Sequence, residues 1–285
     1  MKKILLATTV LVGTAGFAAA EVTLSGSARM GVAAFDGGDL EFSSRVRVVF
    51  NMSGETDGGL AFGATIRADN ADEGNDNGNA GSVFISGAFG KLSMGDVDGA
   101  ANAAVGHVSG VGYTGIGSYN ESTFIANGEF GSDALYEYST GDLGFYLSVT
   151  NPRDVPAGDD PAMSAAVSYA MGDYSFALGY EDNGAGTDHI IVGANATFGA
   201  VTVKARYGEA SGVIEGSQMA ASIDYSMDAL TLTAFYTDDD ELGGDEAYGL
   251  GAAYDLGGGA SLMGGYVENK SEDETSYDLG VSFSF

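Results

Sequence analysis

The sequence contains no cysteine. A disulfide-stapled scaffold is therefore excluded, as is any site built on thiolate. Basic residues are scarce: 11 Lys and Arg stand against 40 Asp and Glu, for a formal net charge of −29. A polyanion of this kind repels nucleic acid, so no nucleic-acid partner is expected. Prolines number three against 46 glycines, and His107 and His189 are the two histidines. After Glu21 no apolar run is long enough for a transmembrane helix, and amphipathic helical periodicity is scarce. Composition alone would still permit a soluble acidic β-protein or a calcium-rich extracellular repeat.

What is present begins with a leader. Lys2 and Lys3 make a basic start, an apolar run follows from Ile4 to Phe17, and Ala18, Ala19 and Ala20 give an A-x-A cleavage site before Glu21. That order predicts a secretory signal peptide over residues 1–20, removed from an exported protein of residues 21–285.

The mature chain alternates. In the last segment Tyr277, Leu279, Val281, Phe283 and Phe285 share one face, while Ser276, Asp278, Gly280, Ser282 and Ser284 share the other. An earlier segment repeats this with charge: Leu40, Phe42, Val46, Val48, Phe50 and Met52 oppose Glu41, Ser43, Arg45, Arg47 and Asn51, with Ser44 the one break in the apolar row. Segments of roughly ten residues separated by Gly, Asp and Asn clusters are the signature of transmembrane β-strands. Counting them predicts about sixteen, an even number as single-chain bacterial barrels require. Short connections such as 141–142 and 172–173 alternate with longer acidic ones at 72–79, 154–161, 182–188, 209–215, 238–245 and 269–274. The expectation is one all-β domain: a closed antiparallel barrel in the outer membrane, both termini at its short-turn end, with lipid and lipopolysaccharide around it.

Three stretches carry a family resemblance: "EVTLSGSARMGV" at the mature start, "FISGAFGKLSMGDVDGA" in the middle and "SYDLGVSFSF" at the end. Over essentially the whole mature chain they resemble the Gram-negative general porins, in the alphaproteobacterial, Rhodobacter-type branch. The resemblance implies a homotrimer of sixteen-stranded diffusion channels for small hydrophilic solutes, each with a long third loop folded into its lumen. It also implies that the terminal strand ending at Phe285 is read by the barrel-assembly machinery.

The scarce cations supply candidate site residues. Strand parity points Arg29, Arg45, Arg47, Arg67, Lys91, Lys204 and Arg206 into the lumen, since a charge facing lipid near the midplane costs about 2–4 kcal/mol. Arg29, Arg45, Arg47 and Arg67 fall on three consecutive strands and should form one basic wall, with Lys91 beyond it. The longest connection, roughly residues 98–131, carries Asp98, Glu121 and Glu129, with Asp96 just before it. A connection of that length in a compact protein is usually functional. By resemblance it is the constriction loop, and Glu121 and Glu129 are expected to face the arginines. The acidity of the outer loops predicts a modest cation preference.

Other chemistries find little support. The carboxylates Asp238, Asp239, Asp240, Asp245 and Glu246 are the oxygen ligands that Ca2+ takes, but no loop has EF-hand spacing. Calcium at these acidic loops is an optional occupant, and no cofactor is required. Neither histidine lies in a recognisable Ser–His constellation, so an enzyme is not expected. A calcium-stabilised soluble repeat would show G-G-x-G-x-D motifs in series, and none is found. A substrate-specific channel or a structural, adhesive barrel remains the alternative.

Overall fold

The computed structural model describes residues 20–70, 81–126, 133–153, 155–240, 242 and 244–285. Of the sequence expectations, the leader apart from Ala20, the acidic connection at 72–79, Asp154 and Glu129 lie outside the described residues.

The chain begins with β1 (Glu21–Ala34), β2 (Glu41–Glu55), β3 (Ala61–Asn70), β4 (Gly81–Gly87) and β5 (Gly90–Gly95). A short helix α1 (Ala100–Val105) and a 3-10 turn (Ile116–Ser118) then interrupt the strands. After them come β6 (Asp133–Thr140), β7 (Leu143–Val149), β8 (Met163–Met171), β9 (Tyr174–Asp182), β10 (Thr187–Phe198) and β11 (Val201–Gly212). The chain ends with β12 (Gly216–Met227), β13 (Leu230–Asp240), β14 (Ala247–Gly257), β15 (Ala260–Asn269) and β16 (Glu274–Ser284).

Each strand pairs with its chain neighbours and β16 returns to β1, so the sheet is a closed antiparallel barrel. The seam is in register from Ser27 opposite Ser284 to Ala34 opposite Tyr277. Beyond it, Gly26 and Phe285 exchange two backbone hydrogen bonds, at 3.2 and 2.9 Å. Closure leaves no open edge, which a hydrocarbon surrounding demands.

The apolar rows face outward. Phe42 is 92 % exposed, Leu24 66 % and Leu279 56 %. Such exposure in water would forfeit about 25 cal/mol for each Å² of apolar surface left uncovered. Against lipid it forfeits nothing. The expected faces of the terminal strand hold, with Ser276 and Asp278 buried inside and Tyr277 and Leu279 outside.

The expected long acidic connections are shorter than the sequence suggests. Between β11 and β12 only residues 213–215 remain, because both strands run into the stretch 209–215. Likewise β9 reaches Asp182, β10 begins at Thr187 and β13 reaches Asp240. Above the hydrocarbon the outward face turns polar, so alternation fades while the hydrogen-bonded ladder continues. The connection after β5 also carries α1, which a featureless Ala-rich run does not advertise.

Candidate functional site

The basic wall forms on β1, β2 and β3. Arg29 lies directly across from Arg45, and Arg47 directly across from Asp69, two residues beyond Arg67 on the same face. Like charges opposed across a pair of strands repel. Arg29 relieves this by donating to the backbone carbonyls of Thr114 at 2.8 Å and Tyr113 at 3.3 Å. Arg47 is gripped by Asp69 through two nitrogens, Nε to Oδ1 at 2.9 Å and Nη2 to Oδ2 at 2.8 Å. Such bidentate pairs are the stronger, more specific kind. Arg67 stands 3.3 Å from the same carboxylate. Arg45 makes no ion pair among the described residues, and its buried Nε has no hydrogen-bond partner. The wall therefore carries its own counter-charge and keeps Arg45 as its least compensated member. Lys91 is compensated too: its Nζ lies 2.9 Å from Glu137 on β6 and 5.5 Å from the Phe84 ring centre.

The long connection follows the inner wall from β7 round to β1. At its start the free amides of α1 are taken by wall serines, Ala100 by Ser148 on β7 and Ala101 by Ser164 on β8, at 2.8 and 2.9 Å. These bonds satisfy helix-end donors that Gly99 cannot cap. Arg206 on β11 then donates to the carbonyls of Gly106 and His107. Ser109 accepts no slack either: its amide donates to Ser222 and its hydroxyl to Asp224, both on β12. At the far end Thr114 donates its amide and hydroxyl to Asp278 on β16, at 2.7 and 2.6 Å. Tyr113 stacks over Gly31 and Gly280, which are paired across the seam; a Cβ on either would come within 2.9 Å of its ring.

The chain then turns back. Ile116, φ +39° and fully buried, sits in a conformation that β-branched residues rarely adopt. On the return leg Thr237 donates to the Tyr119 carbonyl, Asn120 to the Val108 carbonyl, and Thr123 to Asp239. Its last described residues, Ile125 and Ala126, donate their amides to Glu181 of β9. Every one of these wall partners lies on an inward-facing row, an arrangement consistent with a third loop folded into the lumen.

The expected acidic partners are spread along this path. Asp96 follows β5, and Asp98 accepts from Asn102 at 3.3 Å. Crowding by protein desolvates the Asp98 carboxyl and raises its pKa; the His107 charge pulls it down and that of Asp96 pushes it up. Glu121 is exposed beside His107 and near Gln218, Thr237 and Asp239 of β12 and β13. Among the described residues no ion pair joins Asp96, Asp98 or Glu121 to the arginines. The arginine wall meets the connection through backbone carbonyls instead. Lys204 and Arg206 do point inward as parity requires, Arg206 to bind the connection.

The acidic loop residues are largely engaged with protein. Asp239 accepts from Thr123, and Asp238 and Glu246 accept from Tyr236. Among the described residues no three His, Cys, Asp or Glu side chains converge on a metal position.

Several residues that build this site are not singled out by the sequence: Asp69, Glu137, Glu181 and Gln218, and Asp278 only as one of the polar row of the last strand. Asp69 and Asp278 could have been found by parity alone, since each is a carboxylate on a lumen row. Glu137 could not, because its pairing with Lys91 depends on a register set across the long connection.

A sequence profile for Gram-negative porins matches residues 7–274. The porin of Rhodobacter capsulatus is 38 % identical over 303 aligned residues, spanning 93 % of this chain and 100 % of that protein. The porin of Fuscovulum blasticum is 29 % identical over 290 residues, with the same coverage. Among solved structures, a refined porin matches with a TM-score of 0.79 and 35 % identity, over 93 % of this chain and 100 % of the other. A variant of the Rh. blastica porin matches with a TM-score of 0.76 and 25 % identity, over 93 % and 100 %.

Proposed function

The chain belongs to the Gram-negative porins, channel proteins of the outer membrane rather than enzymes, and from that premise we propose a general diffusion pore constricted between its arginine wall and its inner connection. One observation carries the proposal: the connection is bonded to inward-facing residues from β7 round to β1, while Arg29, Arg45, Arg47 and Arg67 cluster where it turns back. A field runs across the remaining opening from these arginines toward Asp96, Asp98 and Glu121, carboxylates that make no ion pair with lysine or arginine among the described residues. Polar solutes orient in such a field, and apolar ones must displace ordered water to pass.

The leader is removed on export, the terminal strand through Phe285 serves the assembly machinery, three copies associate in the bilayer beside lipopolysaccharide, and no cofactor is required. The ion preference is modestly cationic. The chain's excess of acid favours it, and Asp69 and Glu137 offset part of the basic wall.

Single-channel recording of the detergent-purified protein in a planar bilayer tests the reading. The expected result is large ohmic steps arriving in threes, with a larger step after deletion of residues 98–131. Folded barrels that carry no current would overturn the channel, and an unchanged step after deletion would remove the connection from the constriction.

A further inference from the structure

On the lipid-facing wall β9, β10 and β11 stand side by side, and their register sorts the outward side chains into rows that cross the strands. The lowest of these rows sets Ala194 between Phe176 and Ala205, and the next sets Val192 between Leu178 and Tyr207. Above them Ile190 lies between Tyr180 and Glu209, and at the top Asp188 lies between Asp182 and Ser211. The two alanines let the floor drop between larger neighbours. A hollow of about 380 Å³ opens over them, and a second of about 470 Å³ opens beside Ile190, Glu209 and Asp188. Val192 and Tyr207 border both, so the two hollows make one trough.

From Ala194 to Asp188 the trough runs about 20 Å along β10, at about 3.3 Å for each residue. Strands tilted by about 40° carry it down about 15 Å, half of a hydrocarbon core about 30 Å thick. It is therefore one leaflet deep, the reach of a lipid chain. The connection from Phe198 to Val201 is a short turn, so the acidic end of the trough is the outer one. There the apolar rows give way to Asp182, Asp188 and Glu209. The outward rows of β9, β10 and β11 hold no lysine or arginine, since Lys204 and Arg206 point inward. Among the described residues none of the three carboxylates enters an ion pair. Asp188 accepts from the Tyr180 hydroxyl at 2.5 Å and Asp182 from the Gly184 amide at 2.8 Å, and neither donor brings a positive charge. The half-exposed rings of Tyr180 and Tyr207 flank this end, and their faces attract cations.

We infer that this trough seats an outer-leaflet lipid whose headgroup carries a net positive charge on an ammonium nitrogen. Its chain fills the hollow over Ala194 and Ala205, and the ammonium rests among Asp188, Glu209 and the two tyrosine rings. A phosphate-headed lipid fits the apolar rows equally well but meets the carboxylates with like charge. The site uses the outward face alone, so it stands whether or not the lumen conducts.

The chain contains no tryptophan, so Phe176→Trp supplies a single emitter beside the floor of the trough. The mature barrel carrying it is folded into phosphatidylcholine vesicles and titrated with an alkyl trimethylammonium brominated at the tail end. A second titration uses the alkyl sulfonate of the same length and bromination. The ammonium probe should reach half-quenching at a concentration lower by about fivefold or more, the factor for one pair of unit charges about 4 Å apart in water. Adding Asp188→Asn with Glu209→Gln should bring the two probes together. Adding Ala194→Leu with Ala205→Leu instead should weaken quenching by both. Equal quenching by the two probes in the starting barrel would overturn the inference, as would a preference that survives the loss of both carboxylates. Undiminished quenching over the filled floor would show heads gathered at the rim with no seated chain, and would overturn it too. Native mass spectrometry of the unaltered barrel decides the matter independently of how the variants fold. It should retain the ammonium probe and lose the sulfonate; retention of both, or of neither, would overturn the site.

Discussion

Asp69 lies two residues beyond Arg67 on β3, so the period of a strand places both on one face, and the β2–β3 register places Asp69 opposite Arg47. The basic wall is thereby a mixed cluster of four arginines and one carboxylate. Replacing Asp69→Asn removes the counter-charge while keeping the shape. The expected outcome is a reversal potential shifted toward chloride by about twofold in permeability ratio, the order of an exposed charge interaction in water. An unmoved reversal potential would mean that the wall does not border the path of the ions. At this scale the sequence was partly legible. Strand parity alone turned Arg29, Arg45, Arg47, Arg67 and Lys91 inward, because a lipid-facing charge is so costly. Parity gives direction and not partner, so the Lys91–Glu137 pair and the carbonyl bonds of Arg29 were beyond it. Glu181 and His189 were hidden for another reason: they lie near strand ends, where a polar residue ordinarily meets solvent.

Strands and their order were the most readable elements, since alternation of apolar and small polar residues is imposed along the whole membrane depth. Their outer ends were not, because above the hydrocarbon nothing enforces an apolar outward row. The inner connection was legible as a long exception and illegible in its course. It is seated by small residues that resemble any other lumen lining. Gly265 on β15 is one such seat: a Cβ there would lie 2.6 Å from the Gly112 nitrogen and 2.8 Å from its Cα. Those atoms are backbone and cannot swing aside. Gly265→Ala should therefore lift the tip of the connection while leaving β15 paired. The expected signature is a conductance that differs from wild type and fluctuates between levels, from barrels that keep the wild-type shift in gel mobility on heating. An unaltered, steady conductance would show that the tip does not border the path.

Across the whole molecule, acid outnumbers base nearly four to one, and the field at the mouths reaches only as far as salt allows. The screening length shortens from about 10 Å at about 0.1 M salt to about 3 Å at about 1 M. A cation preference that arises from the mouths should therefore fade over that range, as read from reversal potentials. One that arises from groups lining a narrow constriction should persist. A preference that persists undiminished to high salt would move the selectivity from the rim to the interior.

The seam between β1 and β16 also says something about the order in which the molecule can be made. Ser27 meets Ser284 there, so the first and last strands of the barrel are neighbours. No cylinder exists until the final strand has been delivered. The same two strands hold the tip of the inner connection, through Arg29 on one side and Asp278 on the other. Those two anchors come together only when the seam zips shut. Seating the tip of the connection is then among the last acts of assembly.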